Sequence, residues 1–296
     1  MRICAVIVTY NPGNSIFACV SSIKDQVEEI VIIDNGFTVN GPDPIDDIVK
    51  KNGIMVIRNR ENLGIATALN IGIRYALDRG YDWVLTLDQD SIASGDMVKL
   101  MTSSLDEFLK SNRGVKIGII APTPYDINAG KFLSRGEASD RGIAYLKVAR
   151  TTGSLICGDV FKSTGFYNEK LFLYYVDDEF CLRAGKCGYK ILLARQAVIF
   201  HEEGKKEFHN ILFWKVMYDN YSPEAIYYIF RNGIYMFRNS LGLGPVYIVF
   251  IPFRLFRDTW FILLFSKNKA NDLKHAVKGF AHGLAGQFGR LVSVKQ

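Results

Sequence analysis

Paired cysteines are lacking in this sequence of 296 residues. Its five cysteines form no Cys-x-x-Cys pair and none of the spacings of a zinc site, and their number is odd. A zinc-stabilised fold and a disulfide framework are therefore not expected. Three of the thiols, those of Cys4, Cys19 and Cys157, lie in apolar runs, where reduced and buried cysteine is the rule. This usage favours a cytosolic protein over a secreted one.

The sequence also lacks internal repeats, low-complexity tracts and a recognisable cleavable leader. Residues 3–10 resemble the apolar part of a signal peptide, but the run is short and no small-residue cleavage site follows it. We expect this run to form a buried strand. Hydrophobic residues make up 49% of the chain and charged residues 22%, which indicates a folded protein with a substantial core.

No apolar run is both long enough and free enough of charge to cross a membrane. Residues 247–265 are mostly apolar, and the exceptions lie in the middle: Pro252, Arg254, Arg257 and Asp258. Each charge at the centre of a bilayer costs about 2.5–3.5 kcal/mol on insertion scales. We therefore predict a helix that lies in the membrane interface rather than one that spans it. The alternative is a helix that packs on the N-terminal domain or on a second subunit of a homo-oligomer.

Apolar and charged side chains are expected on opposite faces of this interfacial helix. Four residues would face lipid: Phe253, Phe256, Trp260 and Leu264. Arg254 and Asp258 would then point toward water. Arg257 departs from the pattern because it falls near the apolar side.

Positive charge is concentrated in the C-terminal third of the chain. Residues 206–296 hold 12 lysines and arginines against 5 acidic residues, a net charge of +7, while residues 1–205 hold 24 against 25. Seventeen aromatic residues lie between positions 208 and 265. Basic and aromatic composition suits a membrane interface or nucleic acid, but the basic residues are scattered rather than clustered, which argues against nucleic acid. An aromatic helical core with solvated lysines is the alternative.

The first two hundred residues alternate apolar runs with helical segments. The predicted strands are Ile3–Thr9, Ile30–Ile33, Ile54–Ile57 and Trp83–Leu87, and a helix follows the third strand through Leu77. This order is typical of an α/β fold with a parallel sheet and right-handed crossovers. A late strand is expected over Lys190–Phe200, and residues 122–152 are interpreted as a loop region near the active site.

Strand and helix cease to alternate beyond residue 205. Residues 209–290 are predicted to be mostly helical, with breaks at Pro223, Pro245 and Pro252. The chain is therefore expected to consist of a domain over residues 1–205 and a helical, basic and aromatic region over residues 206–296.

Two carboxylates follow the fourth predicted strand. The run Leu-Thr-Leu-Asp-Gln-Asp-Ser (85–91) places Asp88 and Asp90 at the carboxyl end of a strand, where ligands bind in open α/β sheets. Two acids at this spacing can surround one hard cation such as Mg²⁺ or Mn²⁺. Such a cation would neutralise a diphosphate, which points to a phosphorylated substrate. The alternative is that either acid caps the next helix.

Further polar motifs follow the other strands in order. They are Val-Thr-Tyr-Asn (8–11), Ile-Asp-Asn-Gly (33–36), Asn-Leu-Gly-Ile-Ala (62–66) and Tyr-Val-Asp-Asp-Glu-Phe-Cys-Leu-Arg (175–183). With the acid pair they resemble glycosyltransferase family two, the inverting enzymes with the GT-A fold, and in particular its bacterial rhamnosyltransferase branch. The resemblance covers residues 1–205 and touches the C-terminal part at Tyr-Tyr-Ile-Phe-Arg-Asn (227–232). It implies an α/β fold with a mostly parallel central sheet flanked by helices, and a mainly helical C-terminal region.

The resemblance implies roles on the side of the sugar donor. Asp90 would bind the metal directly, Asp88 would contact ribose or metal-bound water, and His201 would be a further metal or phosphate contact. The nucleotide sugar would also be bound by Thr9, Tyr10, Asn11, Asp34, Asn62, Gly64, Ala66 and Gln89. Asp34 would accept a hydrogen bond from the N3–H of uracil or thymine. A turn acid, a helix cap and a structural histidine are the alternatives for Asp34, Asn62 and His201 respectively.

The resemblance also implies roles on the acceptor side. Asp177 aligns with the catalytic acid that takes the proton from the acceptor hydroxyl, and Asp178 is the other candidate for this base. Glu179 and Arg183 would orient the acceptor or a phosphate. The alternative is that these acids are only the acidic first turn of a helix, which the helix dipole favours. Relatives often carry an acid two positions before Asp177, where this chain has Tyr175, and this departure concerns the acceptor.

The sequence thus predicts a metal-dependent inverting glycosyltransferase. The favoured donor is dTDP-L-rhamnose, with a UDP-sugar as the alternative. The favoured acceptor is a polyprenyl-diphosphate-linked saccharide of a bacterial surface polysaccharide such as O-antigen or capsule, at the cytoplasmic face of the plasma membrane.

Two other classes compete with this interpretation: a haloacid-dehalogenase-type phosphatase and a basic nucleic-acid-binding protein. The phosphatase nucleophile also follows an apolar strand, and Asp177 with Asp178 would imitate its later metal acids. However, that nucleophile follows the first strand of its fold, whereas three predicted strands precede Asp88 here. Ile92 also stands where a Thr or Val is expected.

Overall fold

Strands and helices alternate through the first part of the chain. A computed structural model describes residues 1–36, 43–133, 137–138, 144–202, 206–211, 214–239 and 246–291. Its first elements are β1 (Ile3–Thr9), α1 (Ser15–Ile23), β2 (Glu29–Asp34), α2 (Pro44–Asn52), β3 (Met55–Arg58), α3 (Ile65–Asp78), β4 (Trp83–Asp88), β5 (Ile92–Ala93), α4 (Met97–Ser111) and β6 (Lys116–Asp126). The four predicted N-terminal strands are confirmed, each within one residue of its expected ends.

Shorter strands and one long strand follow. They are β7 (Lys131–Phe132), β8 (Glu137–Ala138), β9 (Ala144–Leu146), β10 (Leu155–Cys157), α5 (Gly158–Thr164), a 3-10 turn (Glu169–Leu171), α6 (Val176–Lys186) and β11 (Tyr189–His201). The late strand that ends at His201 is confirmed. The prediction that 122–152 is a loop region is wrong in part, because β6 continues to Asp126 and β9 pairs with β11. Residues 134–136 and 139–143 lie outside the described part of the chain.

The strands form one mixed sheet in the order β3-β2-β1-β4-β10-β6-β11-β9-β8, with β5 added to β11 and β7 to β6. Strands β3, β2, β1 and β4 are mutually parallel, and β10 is antiparallel to both of its neighbours. All seven residues of β1 are buried, as expected for a central strand that helices cover on both faces. Gly72 allows α3 to approach β1, because a Cβ there would lie 2.3 Å from Cγ1 of Val6. The predicted fold class is confirmed.

The chain divides into two compact units. Unit 1 consists of Met1–Tyr167 and Phe180–Glu202, and unit 2 of Asn168–Glu179 and Glu203–Gln296. The chain thus changes unit after Glu202, close to the domain boundary predicted at residue 205. A short earlier segment, which includes Asp177 and Asp178, also belongs to unit 2.

Unit 2 contains a β-hairpin and three helices among its described residues. They are β12 (Lys206–Ile211), β13 (Trp214–Asp219), α7 (Pro223–Arg238), α8 (Val246–Phe265) and α9 (Lys269–Ala285). The prediction that residues 209–290 are mostly helical is therefore wrong for the hairpin. Trp214, Val216 and Tyr218 alternate with Lys215, Met217 and Asp219, a strand period that outweighs the helical context.

The prolines of unit 2 have different effects from those expected. Pro223 begins α7, where its missing N–H costs no hydrogen bond, and the Oγ of Ser222 caps the helix by accepting from Ala225 N–H at 3.2 Å. Pro252 lies inside α8 and does not end it, so the predicted break there is wrong. Pro245 lies outside the described residues.

On α8, apolar side chains are exposed and two of the charged side chains are largely buried. Phe253, Phe256, Trp260 and Leu264 are exposed, as predicted for a face free to contact lipid. Arg254 and Asp258, predicted to point toward water, are instead 23% and 14% exposed. Arg254 turns inward because its guanidinium stacks on the ring of Tyr175, 4.9 Å from the centroid, with Nε 3.7 Å from Oδ2 of Asp258. Among the described helices, none combines the length and apolar character needed to cross a bilayer.

Candidate functional site

The carboxyl ends of β3, β2, β1 and β4 form one edge of the sheet in unit 1. The strand register places Thr9 beside Asp34, Asp34 beside Arg58, and Val8 beside Asp88. Parallel pairing thus brings residues of three separate motifs, all predicted to bind the nucleotide-sugar donor, to the same edge of the sheet.

Asp34 is a buried acid with one free oxygen. It is 2% exposed, and its Oδ2 lies 3.2 Å from Nη1 of Arg58, while its buried Oδ1 has no hydrogen-bond partner among the residues that the structure describes. Arg58 also pairs with Asp43 and Asp46, each at 2.6 Å. Burial raises the pKa of Asp34, and the Arg58 charge only partly offsets this because the two other acids share that charge. The arrangement leaves Oδ1 able to accept a hydrogen bond from a ligand N–H.

Asn35 organises the segment that leads into α3. Its Oδ1 accepts from Asn59 Nδ2 at 3.1 Å and from Leu63 N at 3.0 Å. Its Nδ2 donates to Asn62 Oδ1 at 3.0 Å and to the Gly64 carbonyl at 3.3 Å. The predicted ligand-binding residues Asn62 and Gly64 are therefore held by a side chain to which the sequence analysis gave no role. Gly64 has φ +86, a conformation that glycine adopts without strain.

The loop after β1 is tied to the turn after β4. The main-chain N–H of Tyr10 donates to Oε1 of Gln89 at 2.9 Å. Asn11 has φ +46, which turns the chain at this edge, and Tyr10 is 44% exposed. Thr9 and Ala66 are fully or almost fully buried. Contact of these positions with a nucleotide stays a prediction.

Asp88, Asp90 and His201 come together through strand pairing. β4 ends at Asp88, and β5 then pairs antiparallel with β11, which sets Ile92 opposite Phe200. This pairing returns the last residue of β11 to the turn after β4. One ligand atom from each of the three side chains lies within 4.8 Å of the others.

Two hydroxyl groups support this cluster. Ser91 Oγ lies 2.6 Å from Thr152 Oγ1 and 3.3 Å from His201 Nδ1. Thr152 Oγ1 also accepts from the main-chain N–H of Asp88 at 3.1 Å. Asp90 Oδ1 is buried and lies 3.3 Å from His201 Nδ1, and no other polar group of the described residues contacts it within hydrogen-bond distance. Two carboxylates and an imidazole are suitable ligands for a divalent cation. Oδ1 of Asp90 is available as one of these ligand atoms.

The charges around His201 favour its protonated form. Burial lowers the pKa of His201, but the carboxylates of Asp90 and Asp88 outweigh burial, and the net direction is upward. The positive charge of Arg150 opposes them. The local field is therefore negative and attracts cations, which agrees with the predicted metal-binding role.

Asp177 and Asp178 lie in the first turn of α6, on the part of that helix that belongs to unit 2. The Tyr175 carbonyl accepts from Glu179 N–H at 3.0 Å, and Asp177 Oδ1 accepts from Asp178 N–H at 3.0 Å. Burial and the adjacent Asp177 charge raise the pKa of Asp178 to about 7, although Arg254 opposes this rise. The two carboxyl groups are close enough for the charge of one to disfavour ionisation of the other.

Arg183 and Glu179 have surroundings that the sequence did not predict. The guanidinium of Arg183 donates to the carbonyls of Thr164 and Phe166, the latter at 2.8 Å. Its charge therefore holds the segment after α5 in unit 1. Glu179 is 4% exposed. Contact of either residue with acceptor or phosphate stays a prediction.

Comparison with known proteins shows which proteins this chain resembles. Residues 4–135 match the model of glycosyl transferase family 2. Over 301 residues the chain is 28% identical to the dTDP-rhamnosyl transferase RfbF of Shigella flexneri, with 97% of each chain covered. The predicted resemblance to glycosyltransferase family two is confirmed.

Two solved structures share the fold. TarS of S. aureus aligns with a TM-score of 0.62 and 15% identity over 96% of this chain and 49% of its own. GalNAc-T7 with UDP, GalNAc and Mn²⁺ aligns with a TM-score of 0.57 and 17% identity over 77% of this chain and 48% of its own. This chain thus spans about half the length of either structure.

The titration of Asp178 makes stability depend on pH. An acid with a raised pKa stabilises the fold fully below its unfolded value of about 3.9 and loses this contribution as the pH rises through about 7. We expect the Tm of the wild type to fall, relative to that of Asp178→Asn, between about pH 5 and about pH 8. Differential scanning fluorimetry measures both profiles, and Asp96→Asn, at an exposed position, is the control. Parallel profiles for wild type and Asp178→Asn would contradict the assignment.

Proposed function

Because residues 4–135 form a glycosyl transferase family 2 domain and the chain is a glycosyltransferase, we propose that it transfers L-rhamnose from dTDP-L-rhamnose to a saccharide acceptor. The observation that carries the choice of donor is similarity to a dTDP-rhamnosyl transferase over 97% of both chains. A UDP-sugar is the second candidate, since GalNAc-T7, which shares the fold, binds UDP. The acceptor we propose is a polyprenyl-diphosphate-linked glycan of a bacterial surface polysaccharide.

The donor edge of unit 1 supports binding of a pyrimidine nucleotide. The free Oδ1 of Asp34 would accept the N3–H of thymine, a donor that uracil shares. Thr9, Tyr10 and Asn11 would lie along the base and ribose. The small residues Gly64 and Ala66 would leave room for the nucleotide beside the first turn of α3.

Asp90, Asp88 and His201 would hold Mg²⁺ or Mn²⁺ beside the diphosphate. When bound, this cation neutralises the negative charge that develops on the leaving nucleoside diphosphate. The residues themselves fit this role, because Asp90 Oδ1 is buried and lacks a hydrogen bond. Gln89 holds the neighbouring loop through its bond to Tyr10.

Asp177 is the base that we propose for the acceptor. In an inverting displacement the acceptor hydroxyl attacks the anomeric carbon, its proton passes to a carboxylate, and the C–O bond to the diphosphate breaks. Asp178, whose pKa is raised by burial and by the Asp177 charge, is the second candidate for this base. Arg254 lies among the charges that act on Asp178 and limits the repulsion between the two acids.

Removal of the Asp90 carboxylate should make the affinity for the sugar donor independent of the metal. We expect Mn²⁺ to tighten dTDP-L-rhamnose binding to the wild type by about tenfold or more, and to have no such effect on Asp90→Ala. Isothermal titration calorimetry with Mn²⁺ and with EDTA measures both. Asp96→Ala, an exposed carboxylate at the start of α4, should behave as the wild type. Equal metal dependence in Asp90→Ala would contradict the proposed ligand. Tighter binding of a UDP-sugar by the wild type would overturn the choice of donor.

Asp177→Asn should abolish transfer while it preserves donor binding. Loss of a general base lowers kcat by about 10²–10⁴, and the affinity for dTDP-L-rhamnose should stay within about twofold of the wild type. Release of dTDP, with a lipid extract of the source cells as acceptor, measures turnover. Asp178→Asn is the matched variant and should lose less activity. Wild-type turnover in Asp177→Asn would assign the base to another residue.

We further propose that unit 2 contacts the membrane on which the acceptor lies, at the cytoplasmic face. An apolar surface, called here the aromatic face, covers the outside of α8: Val249, Phe250, Phe253, Phe256, Trp260, Leu263 and Leu264 are all exposed. The adjacent α9 exposes Val277, Phe280 and Leu284. Aromatic side chains with a net charge of +7 over residues 206–296 suit an anionic bilayer surface.

Vesicle flotation tests this contact. We expect the wild type to float with phosphatidylglycerol vesicles and not with phosphatidylcholine vesicles, and the Phe256→Glu Trp260→Glu variant to stay at the bottom. Met55→Glu replaces an exposed apolar side chain of β3 in unit 1 and should float. No flotation of the wild type would contradict the proposal, and concentration-dependent dimerisation that the double variant abolishes would assign the face to a second copy.

A further inference from the structure

The segment before α6 has an unusual backbone. Phe172, Tyr174 and Tyr175 have φ values of +56, +65 and +60, which L-residues other than glycine seldom adopt. Phe172 has ψ −58, and the N–H of Leu173 donates to the Leu171 carbonyl at 2.5 Å. These values describe a classic γ-turn, a rare and strained conformation. Three strained residues within four positions persist only if their surroundings hold them.

One buried amide binds the carbonyls of this strained segment. Asn232, on α7, is 0% exposed. Its Nδ2 donates to the carbonyls of Leu171, Leu173 and Tyr174 at 2.7, 2.6 and 3.0 Å. Because Nδ2 has two hydrogens for three acceptors, at least one of these bonds is shared. The three acceptors lie on both sides of the γ-turn at Phe172.

Arg231 holds the start of the same segment. It is 1% exposed, and its Nη2 donates to the carbonyls of Lys170 and Leu171 at 3.2 and 3.1 Å. Its Nε donates to Oδ1 of Asn232 at 2.9 Å, which orients the amide with Nδ2 toward the γ-turn. Arg231 and Asn232 end the motif Tyr-Tyr-Ile-Phe-Arg-Asn, to which the sequence analysis gave no role.

Two aromatic contacts pack the strained residues against α7 and the residues just before it, within unit 2. The ring of Phe172 stacks on that of Tyr228, with centroids 5.0 Å apart and planes at 15°. The ring of Tyr174 contacts Tyr221 edge to face at 5.8 Å. The segment is thus fixed at its carbonyls by Asn232 and at its side chains by tyrosines. Tyr175 then supplies the carbonyl that accepts from Glu179 N–H in the first turn of α6.

We propose that Asn232, oriented by Arg231, is a positioning residue for the carboxylates of Asp177 and Asp178. The amide keeps residues 171–175 in their strained conformation, and this conformation sets where α6 begins and where its first-turn carboxylates lie. Without the amide, the segment relaxes to ordinary φ values and the acids move. The inference rests on the proposed role of Asp177 as base, but the constraint on the segment does not depend on that role.

The test compares Asn232→Ala with Ser266→Ala. Ser266, also buried in unit 2, donates to Asp272 Oδ2 at 2.6 Å and accepts from Asn268 N–H at 3.0 Å, so its loss removes a comparable set of bonds. Hydrogen–deuterium exchange of residues 171–180 needs no acceptor and no assumption about the base. We expect exchange there to rise about tenfold or more in Asn232→Ala and to stay unchanged in Ser266→Ala.

Kinetics then test whether this constraint matters for transfer. Below the unfolding temperature of each variant, Asn232→Ala should lower kcat about tenfold or more with the KM for dTDP-L-rhamnose within about twofold, whereas Ser266→Ala should change neither. If Asn232→Ala does not fold, Asn232→Ser, which keeps one donor, should show smaller changes in the same direction.

Unchanged exchange of residues 171–180 in the folded Asn232 variant would overturn the inference, even if Asp177 is the base. Faster exchange with unchanged kcat would overturn the positioning role and leave only a structural one. Wild-type turnover in Asp177→Asn would instead contradict the proposed function, and the exchange result would still stand for the segment.

Discussion

The pairing of β5 with the end of β11 is the constraint on which the site in unit 1 depends. Ile92 and Ala93 lie opposite Phe200 and Ile199, and this short ladder holds the turn after β4 against the last residue of β11. It brings His201 to Asp88 and Asp90 although more than a hundred residues separate them in the chain. A two-residue strand thus adds a histidine to a common Asp-x-Asp motif and yields a group of three candidate metal ligands. The end of β4 and the turn after it carry the acids, and the strand pairing fixes their position relative to His201.

Repulsion between carboxylates recurs in both units and is limited by a nearby cationic side chain in each. In unit 1, Asp34 shares Arg58 with Asp43 and Asp46 and retains a raised pKa. In unit 2, Arg254 opposes the rise in the pKa of Asp178 caused by burial and by Asp177. Side chains of like charge that lie close together destabilise the folded state. In proteins such clusters are concentrated at functional sites. The inward packing of Arg254 on α8 is therefore part of the electrostatics of the acid pair.

The sequence predicted the parts of the fold that depend on local pattern. Apolar runs located β1 to β4, and the polar residues after them were correctly expected to meet at one edge of the sheet, because parallel strands end at a common side. The hairpin β12–β13 was missed because its alternating residues lie in a region whose composition suits helices. The direction of Arg254 was also missed, since its partner Tyr175 is 79 residues away and the amphipathic pattern alone favoured water.

The same limit applies to the residues that support the site. Asn35, Thr152 and Asn232 act through hydrogen bonds to distant main chain, and no spacing in the sequence marks such bonds. Asn35 and Asn232 each stood within a motif that pointed to the family, but only the structure gives them a physical task. The motifs pointed to the candidate site residues, and tertiary contacts explain how those residues are held in place.

A crystal structure with dTDP and Mn²⁺ would show whether the acid pair and His201 hold a metal beside the nucleotide. The proposed site requires Mn²⁺ bound to Asp90, with Asp88 and His201 around it, and Oδ1 of Asp34 within hydrogen-bond distance of the thymine N3. A nucleotide bound elsewhere, or a cation that none of these three side chains approaches, would contradict it.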